Sequence, residues 1–309
     1  MNNIENTHGK CPICHGINTA YVNKHSNFSL IDIWVCNNCK HWFSCPEPNE
    51  EDLNKYYRET YRSSRSKLFT EEYYLIMEKR ARAQIQFMQQ SLNTVYPQDT
   101  LQGWKAIDWG CGIGALVLSL QQTGVDAVGY DSDISAIDTG RKRWADAYLL
   151  SRCEDLTVFR EKFDLLLLSH VIEHLPDIEA SLKNILQVLK PNGYLFIEVP
   201  NCCPEMISTS EGHESHLHFF SMQSLLKLLN NLGIKGINCV SCGPMQNFDI
   251  QFSDSQRPFA VKVKHKLENI LIKLKLMNMK TMYDGFYEYY SKNDDRLWLR
   301  YFGQKQMTS

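Results

Sequence analysis

Between Trp104 and about Leu232 the chain alternates short apolar runs with amphipathic stretches. This pattern predicts a mainly parallel sheet covered by helices on both faces. Strands are expected at Trp104–Trp109, Ala127–Tyr130, Ala147–Ser151, Asp164–Ser169 and Tyr194–Val199, with helices at Ala115–Thr123, Ile134–Ala147, Ile178–Leu189 and Met222–Leu232. Gly236–Cys242 and Leu297–Phe302 can add a terminal hairpin. Residues 50–96 are rich in Glu, Lys, Arg, Tyr and Gln. Their apolar positions fall at helical spacing in Tyr74–Met77 and Ile85–Met88, which reads as one short and one long helix ended by Pro97. Ala20–Val22 and Ile31–Val35 read as short strands near the start. Residues 244–294 fall outside the alternation and read as an inserted helical lobe.

Four cysteines open the chain in two pairs, Cys11-Pro-Ile-Cys14 and Cys36-Asn-Asn-Cys39. Each C-x-x-C knuckle turns tightly enough to aim two sulfurs at one ion, so the spacing points to a tetrahedral zinc thiolate site. So small a ribbon has little core of its own, and zinc is expected to supply its folding free energy. Pro46-Glu-Pro48 closes it. The expected division is a zinc ribbon over 1–48, a helical connector over 49–100, an α/β core over 101–243 and 295–309, and a helical insert or lid over 244–294.

At 309 residues, with 43% hydrophobic and 22% charged positions, the chain is long enough for a sizeable core. Its 33 basic and 35 acidic residues leave a formal charge of −2, which argues against nucleic acid as a partner. No run of about 18 apolar residues occurs, and the opening MNNIENTHGK is polar, so the expectation is a cytoplasmic protein with no membrane-spanning segment. In that setting eleven cysteines point to thiols and metal rather than disulfides. Oligomeric state is not readable from the chain.

The first core strand runs into Asp108-Trp-Gly110-Cys111-Gly112-Ile-Gly114, with a helix starting at Ala115. Glycines here allow a sharp turn and a close approach to a ligand at a helix N-terminus. A second acid, Asp131, ends the next strand, where a carboxylate can accept both hydroxyls of a ribose. The ordered blocks AIDWGCGIGA, AVGYDSD, FDLLLLSHVIEHLPD and LKPNGYLFIEVPN resemble the class I S-adenosylmethionine-dependent methyltransferases. The resemblance covers about residues 100–240. It implies a seven-stranded Rossmann-like sheet of order 3-2-1-4-5-7-6 with the last strand antiparallel. It also implies S-adenosylmethionine as cofactor, with Asp108, Gly110, Cys111, Gly112, Gly114 and Ser169 lining its site and Asp131 at the ribose. Many relatives hold the adenine with an Asp that this chain replaces by Arg152-Cys-Glu-Asp155, leaving Cys153 or Glu154 as the adenine contact.

Five of the ten histidines lie in two short stretches, Ser169-His170-Val-Ile-Glu173-His174 and His213-Glu-Ser-His216-Leu-His218. A helical turn starting at His170 would place His170, Glu173 and His174 on one face. Three readings stay open: an imidazole as general base, a second divalent-metal site formed by His170, Glu173, His174 and His216, or a structural network. The metal reading is similar to the E-x-x-E-H pattern of small-RNA 2′-O-methyltransferases and some quinone O-methyltransferases, with His170 in place of the first Glu. Such a cluster leans towards an oxygen or carbon acceptor.

The layout of ribbon, P-x-P exit, Tyr-rich connector and core resembles bacterial methyltransferases of deoxysugar, surface-polysaccharide and natural-product pathways. That implies a small-molecule or glycan acceptor such as a sugar or nucleotide-sugar. An RNA methyltransferase using the ribbon as an RNA contact is the alternative, and a non-catalytic cofactor-binding scaffold a third. Cys239-Val-Ser-Cys242 reads as a core feature. The lysines and aromatics of 261–290 read as a lid with a solvated face.

Overall fold

The computed structural model describes residues 9–24, 31–56, 69–151, 156–202, 216–245 and 288–306. The chain opens with β1 (Thr19–Lys24), β2 (Asp32–Cys36) and β3 (Trp42–Cys45), followed by helices α1 (Glu50–Tyr56) and α2 (Glu71–Asn93). The core then runs β4 (Lys105–Trp109), α3 (Ala115–Gln122), β5 (Asp126–Tyr130), α4 (Ile134–Arg143), β6 (Leu149–Leu150), β7 (Phe163–Ser169) and α5 (Ile178–Ile185). It continues through β8 (Leu189–Pro200), β9 (His218–Phe219), α6 (Met222–Asn231), β10 (Ile234–Met245), β11 (Tyr290–Ser291) and β12 (Arg296–Lys305).

The large sheet has the order β11-β10-β12-β8-β7-β4-β5-β6. Strands β4 to β8 pair in parallel, and β12 runs antiparallel to both β8 and β10. This is the expected 3-2-1-4-5-7-6 order with one short strand, β11, added at the edge. β11 falls inside the stretch read as helical lobe. Residues 246–287 of that stretch lie outside the described residues. Central β7 carries Leu165 to Leu168, all buried, which is the signature of a parallel strand covered on both faces.

Two local expectations shift. Helix α4 stops at Arg143, not Ala147, because Trp144 leaves helical geometry and buries its ring edge-on against Tyr74 of α2, 5.6 Å between centroids. The strand expected over Ala147–Ser151 then shrinks to the two residues of β6.

The ribbon has a third strand that its short segment did not announce. β3 pairs with β2 on one side and with β9 of the core on the other, giving a small sheet β1-β2-β3-β9. Ile13 and Phe43 of the ribbon belong to the same packed cluster as Ile178 and Leu182 of α5 and Leu225 and Leu228 of α6. Polar contacts stitch the same seam: Asn231 Nδ2 donates to the Ile13 carbonyl at 2.9 Å, and the Asp177 amide donates to Glu47 Oε2 at 3.1 Å.

Leu182 has no exposed surface at the centre of this shared cluster. Leu182→Ala should cost about 2–5 kcal/mol by the usual cavity penalty. Denaturant titration should show ribbon and core signals falling in one shifted transition.

Candidate functional site

The loop after β4 is built around three left-handed glycines, Gly110 (φ 81°), Gly112 (φ 56°) and Gly114 (φ 84°). A side chain at Gly110 would collide with Val171, and one at Gly114 with Leu149, whereas Gly112 faces open space. The loop is therefore pressed against the protein on one side and open on the other. Asp131 pins it from β5: its Oδ2 accepts from the Gly112 amide at 2.7 Å and its Oδ1 from the Asp133 amide at 2.8 Å. Carboxylate oxygens have further lone pairs, so this pinning leaves acceptor capacity towards a ribose.

Asp108 is buried at the floor of the cradle, and its Oδ1 has no hydrogen-bond partner among the described residues. Burial, reinforced by Asp131 and partly offset by Arg80, pushes its carboxyl up to about 7. An orphaned buried acceptor beside an open glycine face fits a ligand with a cationic or N–H-bearing end, as the amino-acid portion of S-adenosylmethionine has. Cys111 packs under the loop against Gly129, and burial raises its thiol well above the ordinary range. Cys153 and Glu154, the expected adenine contacts, lie outside the described residues.

Ser169, at the end of β7, belongs to a buried network that motif reading did not assemble. Its Oγ accepts from Arg80 Nη2 at 3.0 Å and from Gln84 Nε2 at 2.9 Å, both on α2. Arg80 and Gln84 also donate to Oε1 of Glu198 on β8, and Arg300 of β12 donates to Oε2. Burial alone would raise Glu198, but Arg300 and Arg80 hold it well below the usual carboxylate range. The available signal was a lone charge inside the apolar run Tyr194–Val199. Its partners are 118 and 102 residues away, so spacing could not name them.

The helical turn expected at His170 does not start there. His170 takes a left-handed backbone (φ 56°), and a single 3-10 turn covers Ile172–His174. The imidazole of His170 lies between two carboxylates, Nδ1 3.2 Å from Glu173 Oε1 and Nε2 3.6 Å from Glu198 Oε1. His174 Nε2 is 3.8 Å from the same Glu173 oxygen, and the His174 and His216 rings meet edge-on at 4.8 Å. One donor atom each from Glu173, His174 and His216 lies within 4.8 Å of the others. His170 is not part of that trio, though it flanks it through Glu173. Burial pushes Glu173 up, but the His170 hydrogen bond and the charges of His174, His170 and His216 outweigh it and leave it at about 2. Glu173 Oε2 is buried with no hydrogen-bond partner among the described residues. Two imidazoles and a carboxylate at this separation suit a divalent transition ion, and equally a proton-accepting imidazole steadied by an anion.

The four ribbon cysteines converge as their spacing predicts. Their sulfurs lie within 4.8 Å of one another, with Cys11–Cys39 and Cys14–Cys36 at 3.5 Å. Zinc–sulfur bonds of about 2.3 Å in a tetrahedron put sulfurs about 3.8 Å apart, so the cluster fits zinc. Cys242 is buried and Cys239 partly so, and burial pushes both thiols up to about 12, in keeping with a core role.

A family model described as "Methyltransferase domain" matches residues 71–238, just over half of the chain. The ubiquinone biosynthesis O-methyltransferase of Coxiella burnetii is 32% identical over 116 residues, covering 36% of this chain and 49% of the relative. The mitochondrial ubiquinone biosynthesis O-methyltransferase of Bos taurus is 35% identical over 117 residues, covering 35% and 32%. The chain thus spans about half the length, or less, of these curated relatives. Among solved structures, the 1,6-didemethyltoxoflavin-N1-methyltransferase of Burkholderia thailandensis, with 1,6-didemethyltoxoflavin and S-adenosylhomocysteine bound, superposes with a TM-score of 0.51 at 13% identity. That match covers 92% of this chain and 100% of the other, and at such identity it concerns the fold.

Asp108 makes stability depend on pH. Its folded value of about 7 stands above the ordinary 3.8, so between those values the folded protein keeps a proton that the unfolded chain has lost. Its contribution is full below about pH 4 and declines as pH rises to about 7, by up to about 1.4 kcal/mol per unit. Asp108→Asn should flatten that slope in urea titrations of the ligand-free protein at pH 5 and pH 7. Asp131→Ala should weaken S-adenosylmethionine binding at least tenfold in calorimetry while the circular dichroism spectrum stays unchanged.

Proposed function

The chain belongs to the methyltransferase-domain family, and on that footing we propose that it transfers a methyl group from S-adenosylmethionine to an oxygen of a small acceptor, with carbon as the second choice of atom. The observation that carries the choice is the Glu173–His174–His216 trio. Val171, two residues before Glu173, packs on Gly110, so the turn bearing Glu173 and His174 touches the cofactor cradle. Bound S-adenosylmethionine supplies an electrophilic sulfonium methyl. In the transfer an acceptor oxygen–carbon bond forms, the methyl–sulfur bond breaks with its electron pair going to sulfur, and the hydroxyl proton must leave.

The chain's residues serve that last requirement in one of two ways. His174 or His216 accepts the proton, with buried Glu173 stabilising the imidazolium, an effect worth about 10²–10⁴ in rate. Or the trio holds a divalent ion that lowers the hydroxyl's pKa. Nitrogen acceptors need such help less, because a neutral amine already carries a nucleophilic lone pair, and this favours oxygen. The Asp108, Gly110, Gly112, Gly114 and Asp131 cradle binds and orients the donor, and alignment of acceptor and methyl supplies much of the remaining acceleration.

For the acceptor we favour a sugar, nucleotide-sugar or natural-product hydroxyl. The order of ribbon, connector and core supports this class, and the near-neutral charge supports a small acceptor over RNA. The curated relatives' names, ubiquinone biosynthesis O-methyltransferase, support oxygen as the acceptor atom.

Labelled S-adenosylmethionine incubated with host extract and fractionated with and without nuclease tests the reading. Label in nuclease-resistant small molecules or glycans is expected. Label in a ribonuclease-sensitive fraction would transfer the assignment to RNA, and binding with no turnover on any fraction would leave only a scaffold. His174→Ala and His216→Ala should each lower turnover about 10²-fold or more with cofactor affinity within threefold. Loss of turnover on chelation with ribbon zinc retained would select the metal route, and unchanged turnover the base.

A further inference from the structure

His216 sits two residues ahead of β9, a strand of two residues, too short to hold itself in place. Its supports come from two directions. On the core side, the Leu217 amide donates to the Glu173 carbonyl at 2.8 Å, and Phe220 bridges to Asn201. On the ribbon side, the Ser44 amide donates to the Leu217 carbonyl at 2.9 Å, and Phe43 and Trp42 of β3 pair with His218 and Phe219. β9 is thus clamped between the ribbon and the turn that carries Glu173 and His174.

A buried pair of imidazoles runs through the same clamp. His218 Nε2 lies 3.0 Å from the Leu175 carbonyl, which can only accept, so that nitrogen carries the proton. His218 Nδ1 is then an acceptor, and His41 Nε2, 3.2 Å away, must be its donor. Both rings are buried. The result is a fixed relay from His41 through His218 to the residue after His174.

His41 is placed in turn by the second cysteine knuckle. The Lys40 amide donates to the Cys36 carbonyl, and the Cys36 amide to the His41 carbonyl at 2.8 Å. The described part of the ribbon contributes few apolar residues, chiefly Ile13, Ile31, Ile33 and Phe43, so its order depends on the metal.

From this juxtaposition we infer that the ribbon is a positioning element of the acceptor-side trio: zinc held by Cys11, Cys14, Cys36 and Cys39 fixes β3 and His41, and through β9 they set His216 against Glu173 and His174. The ribbon is then a wall of the site rather than a recruitment module. The positional coupling stands apart from the proposed function, and only its effect on turnover rests on that reading.

Amide exchange on the full chain, zinc-loaded and then zinc-stripped, tests the coupling directly. Stripping should raise exchange at Leu217 and Ser44 at least tenfold while Ile107 and Leu166 in the central sheet stay protected. S-adenosylmethionine affinity should remain within threefold. Continued protection at Leu217 after zinc is gone would overturn the inference. Should stripping unfold the whole chain, zinc-bound variants decide. His41→Leu should lower turnover at least tenfold with zinc still one per chain and cofactor affinity unchanged, and His41→Gln, which keeps an N–H donor, should recover most of it. Equal turnover in His41→Leu and the parent would overturn it, unless His216→Ala is also silent. In that case the trio's catalytic role has failed, and increased Leu217 exchange in His41→Leu sustains the coupling while parent-like exchange ends it.

Discussion

Glu198 is a carboxylate without exposed surface in the middle of the mixed sheet, on β8 between parallel β7 and antiparallel β12, and it is tolerable there because Arg80 and Arg300 close on it from two sides. Desolvating such a charge costs several kcal/mol, and only close, well-directed partners offset it. The partners come from distant parts of the chain: Arg80 from the connector helix, Arg300 from the antiparallel strand that completes the sheet. Tyr290 of the edge strand extends the network, accepting from Arg300 Nη1 at 3.1 Å. One buried charge therefore requires α2, β8 and β12 to be in register together. It also sets what lies above it, because Ser169 and His170 at the mouth of the cradle are held by Arg80, Gln84 and Glu198.

Charge is used differently in the two halves of the site. In the cradle, Asp108 Oδ1 has no hydrogen-bond partner among the described residues and burial pushes the carboxyl towards protonation, a cost that a ligand with a matching donor would relieve. Around Glu173, three imidazoles outweigh burial and keep the carboxylate ionised. A raised acid and a depressed one thus lie on either side of Val171. The contrast follows from neighbours rather than depth, since both carboxylates are buried to a similar degree.

The ribbon departs from the picture of an appended module. It shares a core with α5 and α6, pairs its third strand with a two-residue strand of the core, and through that strand meets the turn that carries Glu173 and His174. Its four clustered cysteines precede Glu173 by 134 to 162 residues in sequence, yet only β3 and β9 separate the ribbon from that turn.

Sequence alone determined the alternating strands and helices of the core, because β7 and its neighbours are apolar runs separated by helical periodicity and local pattern decides such elements, while their order in the sheet came from the family resemblance. It also determined the glycine loop, Asp131 and the four cysteines, where chemistry depends on residues a few positions apart. Only the tertiary structure decided how these pieces meet. β3 was illegible because a four-residue run has no periodicity of its own, and its pairing with β9, more than 170 residues away, leaves no local signal. The Glu198 network was illegible for the same reason. The turn at His170 follows backbone geometry rather than spacing, so the sequence could name His170, Glu173, His174 and His216 as one group but could not show that Glu173, His174 and His216 draw together with His170 at their flank. Short-range pattern specifies elements, and long-range packing specifies which side chains share a site.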